Sequence, residues 1–141
     1  MSKRIGWVPL AMVAGLAMAA AGASARQQAG GGVRTLDVPA INMIQKGKWT
    51  ARDSEDKERT MCVRDPYQVL RPANVNTPCQ HVVLESTASR ATVRSSCAGH
   101  GTMLTRITVD TPRQVTVDTQ GVIDGQPFSE IYDAKRVGDC S

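Results

Sequence analysis

No Gly-x-Ser-x-Gly nucleophile elbow, no His-Glu-x-x-His zinc helix, no Walker glycine loop and no dinucleotide glycine fingerprint occurs in this sequence. The common hydrolase, metallopeptidase and nucleotide-binding chemistries therefore have no motif to rest on. Histidine is nearly absent, with His81 and His100 the only two, and none of the four cysteines forms a Cys-x-x-Cys pair. A structural zinc site lacks its usual ligand spacing, and neither metal nor other cofactor is expected. An excess of one charge is missing as well. Lys+Arg number 17 against 13 Asp+Glu, and without Lys3 and Arg4 at the start the balance falls to +2. That is far from the clustered basic stripe of a nucleic-acid footprint, so nucleic acid is not an expected partner.

From Ile5 to Ala23 charge is absent altogether, behind a basic Met-Ser-Lys-Arg start. The run is followed by the small-x-small triplet Ala23-Ser24-Ala25, which fits the narrow pocket of signal peptidase. Residues 1–25 read as a signal peptide cleaved after Ala25, giving a periplasmic or secreted protein that meets the membrane only before cleavage. A retained anchor is the competing reading, since the run approaches the roughly 20 residues that span a bilayer. Its Ala and Gly content and the placed triplet favour cleavage, and no Cys follows it to take a lipid. Cleavage leaves 116 of the 141 residues, enough for one domain and too few for two good cores.

Residues 26–45 read as a flexible leader, polar and glycine-rich over 26–36. From Lys48 onward, short runs of Val, Ile, Thr and aromatics alternate with Gly, Pro, Asn and Asp about every ten residues. That spacing predicts an all-β antiparallel meander of six to eight strands, a curved sheet or small barrel over residues 46–141. One helical turn is expected at Asp65–Leu70, with Asp65 as N-cap and Pro66 at the first helical position, ended by Arg71-Pro72.

Hairpin registers can be tested against the side chains they bring together. A Thr87-Ala88-Ser89 loop sets Ser86 against Arg90 and, counted outward, Cys79 against Cys97. A non-hydrogen-bonded pair there has a short Cα separation near the lower limit for a disulfide. Export supplies an oxidising compartment. Cys79–Cys97 is thus the expected bridge, and Cys62–Cys140 follows by elimination. A loop at Asp110–Gln114 pairs Val109 with Val115, Ile107 with Val117, and Arg106 with Asp118. Asp124-Gly125 has the form of a type I′ turn, which places Phe128 opposite Gly121 and Tyr132 opposite Val117. One face then carries Met103, Ile107, Val109, Val115, Val117, Phe128 and Tyr132 as core, interrupted by Glu130. Phe128, the only Phe, is expected to anchor that core over Gly121.

With this cysteine frame the chain resembles an exported bacterial family, domain of unknown function 3617, over roughly Lys46 to Cys140. The carriers are Gly47-Lys48-Trp49, Met61-Cys62-Val63, Cys79, Cys97-Ala98-Gly99 and the closing Arg136-Val137-Gly138-Asp139-Cys140. The resemblance implies a periplasmic location and a β fold, and no activity.

Two residues stand out as candidate functional groups. His100 lies in Cys97-Ala98-Gly99-His100-Gly101, where a Cys near a His could make a thiolate nucleophile; a disulfide at Cys97 and a tight turn between strands account for the same residues. His81 is expected on the face of Cys79, Val83 and Glu85. Asp53, Glu55, Asp56 and Glu58, interleaved with Arg52, Lys57 and Arg59, read as a solvated hairpin tip. The expectation is therefore a non-enzymatic envelope module that binds a small apolar ligand or another envelope component. The alternative is a small hydrolase or isomerase using His81 and His100 with a nearby carboxylate.

Overall fold

A computed structural model describes residues 35–141, and within them the alternation of apolar and polar residues becomes seven strands. These are β1 (Gly47–Asp53), β2 (Glu58–Val63), β3 (Cys79–Ser86), β4 (Arg90–Cys97), β5 (Gly101–Thr111), β6 (Gln114–Ile123) and β7 (Gln126–Gly138). They build one antiparallel sheet in the order β2-β1-β7-β6-β5-β4-β3. Strands β3 to β7 form a meander, while the β1–β2 hairpin adds to its far edge because β1 pairs with β7. The edges β2 and β3 do not pair, so the sheet is open, and of the two expected forms the barrel is not adopted.

Side chains alternate across the sheet with period two, and one face carries Trp49, Ala51, Val93, Ile107, Val115 and Val117, all buried. Each large apolar side chain removed from water contributes about 1.5–3 kcal/mol. Two expected registers stand as read: β5–β6, with Ile107↔Val117 and Val109↔Val115, and β6–β7, with Tyr132↔Val117 and Phe128↔Gly121. Asp124 (φ 51°) and Gly125 (φ 74°) both occupy the left-handed region that the two-residue turn demands.

The β3–β4 hairpin differs in detail. Ser86 faces Ala91, not Arg90, and a bulge between Val83 and Glu85 restores the register so that Cys79 still meets Cys97. The tip is tightened by the Thr87 N–H on the Arg90 carbonyl at 2.8 Å and by the Arg90 N–H on the Thr87 hydroxyl at 2.9 Å. The bulge also turns Glu85 to the opposite face from His81, where its carboxylate accepts from the Thr92 hydroxyl at 3.2 Å.

Both expected disulfides are present, Cys79–Cys97 with Cα atoms 4.1 Å apart and Cys62–Cys140 with 5.6 Å. The helical turn at Pro66–Leu70 is a 3-10 helix, and the Asp65 carboxylate accepts from the Tyr67 N–H at 3.0 Å as its cap.

The domain begins ahead of Lys46. Pro39–Asn42 is a one-turn helix, α1, and Val38, Ala40, Ile41 and Ile44 are buried against the sheet. Four apolar residues at near-helical spacing inside the expected leader offset its ordering cost. The Val38 N–H donates to the Tyr67 hydroxyl at 2.9 Å, and that hydroxyl donates to Asn42 at 2.8 Å, fastening α1 to the 3-10 turn. The expected signal peptide and the first part of the leader, residues 26–34, lie outside the described residues. Among the described residues no helix is long and apolar enough to cross a membrane.

Candidate functional site

Because β2 and β3 are opposite edges of the sheet, the chain between them must travel across it. Residues 64–78 do so on the apolar face: Leu70 and Val75 are buried there, and the segment makes a strap over the strands. A disulfide stands at each end, Cys62 just before the strap and Cys79 just after it. α1 fills one part of the space beneath, against the 3-10 turn of the strap.

The rest is a cleft of about 880 Å³ between the strap and strands β1, β2, β5, β6 and β7. Its floor is apolar, with Trp49, Met103, Val115 and Val117, and Phe128 and Tyr132 stand along its wall. Phe128 is only half-buried and lies outside the core cluster, so it is not the core anchor that the register alone implied. The register does bring it opposite Gly121, but a Cβ on Gly121 would meet the Thr102 carbonyl at 2.3 Å and Met103 Cα at 2.7 Å. The glycine is needed by the close approach of β5, which leaves the ring free to line the cleft.

Glu130, the polar interruption on this face, has a partner from a distant strand. Arg59 faces Ala51 on β1, and the small Ala51 side chain leaves room for the arginine to reach across to β7. There its Nη1 lies 2.6 Å from Glu130, and its guanidinium sits 4.7 Å from the Tyr132 ring centroid, within range of a cation–π contact. Arg59 thus leaves the solvated hairpin tip where the sequence pattern put it. The tip keeps Arg52 with Glu58 at 3.0 Å and Lys57 with Glu55. Opposite Glu130 stands Thr119, whose hydroxyl is 3.3 Å from that of buried Thr105. Burial pushes the Tyr132 phenol up to about 12, Arg59 opposing and Glu130 adding to the shift. At neutral pH it is an uncharged hydroxyl on an apolar wall.

The two histidines occupy other places and do not converge. His81 Nδ1 lies 2.9 Å from the hydroxyl of buried Ser95, and burial, with help from the Arg71 charge, lowers its proton affinity. His100 sits in the turn between β4 and β5, where its N–H donates to the Cys97 carbonyl at 3.0 Å. Its ring meets Asp124 of the β6–β7 turn at 2.7 Å, joining two turns at one end of the sheet. Neither histidine lines the cleft. All four cysteines are in disulfides, so Cys97 holds no thiolate to pair with His100. Among the described residues no group of three or more His, Cys, Asp or Glu could hold a metal ion.

Sequence reasoning named neither Arg59 nor the strap as part of a site. Glu130, a carboxylate at an inward register position, was the one signal that pointed there. Comparison with protein-family models, curated proteins and solved structures finds no significant match for this chain.

Proposed function

We propose that this protein is a non-enzymatic binding module of the cell envelope that holds a small, largely apolar ligand in the cleft beneath the strap. The observation that carries this reading is the cleft itself. Its volume of about 880 Å³ falls within the roughly 300–1,000 Å³ usual for small-molecule sites, and an apolar floor with a few polar groups is their usual lining. Affinity would come from removing apolar surface from water, and orientation from Arg59, Glu130 and the Tyr132 hydroxyl. Two disulfides fit an oxidising compartment, and export through a signal peptide cleaved after Ala25 belongs to the same proposal, as does the resemblance to the exported family named above.

The test is titration of the oxidised protein with a neutral fluorescent apolar probe such as N-phenyl-1-naphthylamine. Saturable binding at one site per chain, competed by apolar small molecules, is expected. A protein that is folded by circular dichroism yet shows no saturable binding would overturn the reading. For export, mass spectrometry of the periplasmic or secreted fraction should find a mature N-terminus at Arg26. A dominant species beginning at Met1 in the membrane fraction would refute cleavage.

A further inference from the structure

The structure assigns the ligand a chemical class: a single-chain amphiphile with a carboxylate head, the head on Arg59 and the chain along the apolar floor. This rests on the binding reading above and deepens it.

A cation at the open side of an apolar cleft attracts an anion, and in this structure Glu130 supplies it. The Nη1 of Arg59 already accommodates a carboxylate oxygen at 2.6 Å, while its π face is held by the Tyr132 ring at 4.7 Å. A guanidinium offers five N–H donors in a planar fork suited to two carboxylate oxygens. Glu130 meets only Nη1 among the described ion pairs. The site is thus shaped for a carboxylate and incompletely used by its own.

Exchange of one carboxylate for another carries little penalty. The Arg59 and Glu130 side chains are 49% and 34% exposed, and ion pairs so open to water are weakly held. The surrounding charges favour an anion as well. Four charged side chains line the cleft, Arg59, Arg71, Asp124 and Glu130. Glu130 is engaged by Arg59, and Asp124 turns to His100 at 2.7 Å. Arg71 has no acidic partner within salt-bridge distance among the described residues. A ligand with a cationic head would find both carboxylates engaged; one with a carboxylate head finds Arg71 without an acidic partner and exchanges with Glu130 at Arg59.

Displacement of the neutral naphthylamine probe by dodecanoate, dodecanol and dodecyl phosphate at neutral pH tests the assignment. Dodecanoate is expected to compete at least about tenfold better than dodecanol, a gap near 1.4 kcal/mol, and better than the phosphate. Arg59→Gln should bring the acid down to the alcohol. Glu130→Gln, which removes the internal competitor, should raise acid affinity several-fold. A merely structural ion pair would weaken binding in both variants. If Arg59→Gln does not fold, the acid-to-alcohol ratio of the unaltered protein and its fall with rising salt carry the test. Equal binding of acid and alcohol, an acid preference that survives Arg59→Gln, or tighter binding of the phosphate would each overturn the assignment and leave the cleft as an apolar binding site. Absence of probe binding would instead remove the underlying reading.

Discussion

Phe128 shows how much depends on one side chain's surroundings. Its strand, its register and its face are all as the Asp124-Gly125 turn dictates, yet its ring stands on the cleft wall and not in the core. A buried Phe costs about 3–5 kcal/mol when truncated. For Phe128→Ala the expected loss is about 1 kcal/mol, with a several-fold weaker hold on the naphthylamine probe. Thermal melting and the probe titration check the two halves; a drop of several kcal/mol would return Phe128 to the core. Tyr132, two turns of the pleat away on the same face, is coupled to pH. Its phenol titrates at about 12 in the folded chain against 10.0 for an unperturbed tyrosine. The unfolded chain therefore loses the proton first, and the stabilisation, full below pH 10, is lost as pH rises toward 12. Two pH units correspond to about 2–3 kcal/mol. Denaturant melts across that range should fall more steeply for the native protein than for Tyr132→Phe, and equal slopes would contradict the burial of the hydroxyl.

At the scale of elements, the strap is the feature that makes a site out of a sheet. An open sheet with one apolar face must cover it, and here the cover is the β2-to-β3 connection itself, pinned by a disulfide at both ends. Cys62–Cys140 spans 78 residues and Cys79–Cys97 only 18. In the chain-entropy account the longer closure contributes about 4 kcal/mol and the shorter about 3. The double variant Cys62→Ser/Cys140→Ser should thus be the less stable of the two single-bridge forms in denaturant titrations, the reverse order indicating that the short bridge does more than close a loop. Non-reducing peptide mapping should recover these two pairings and no other. The hairpins were legible beforehand because a register error puts apolar residues in water, and the β5–β6 pairing of Ile107 with Val117 and Arg106 with Asp118 left no other choice. The bulge near Leu84 was not legible. It shifts Glu85 and Ser86, whose side chains are exposed in the folded chain, so burial of their own side chains does not penalise the wrong register.

For the whole molecule, the boundary of the folding unit lies earlier than composition indicates. Val38, Ile41 and Ile44 close the core from the N-terminal side, and the Gln45 carbonyl accepts the Trp49 indole N–H at 2.9 Å. A chain beginning at Lys46 should expose the apolar face that α1 covers and unfold or aggregate. One beginning at Thr35 should keep the full melting transition. Equal melting temperatures for the two would mean that α1 is dispensable.

Local rules were sufficient for the strands, the type I′ turn and the capped helical turn. Each is decided by neighbours in sequence or by the period-two pattern, which the residues carry themselves. Which edges of the sheet stay apart, what crosses its face and where Arg59 points are decided by contacts between residues far apart in the chain. Arg59 meets Glu130 only because β1 lies between β2 and β7 and presents Ala51 at the crossing. A charged residue at an alternating position in a polar hairpin carries no local mark of that destination, and so the cleft belongs to the tertiary structure alone.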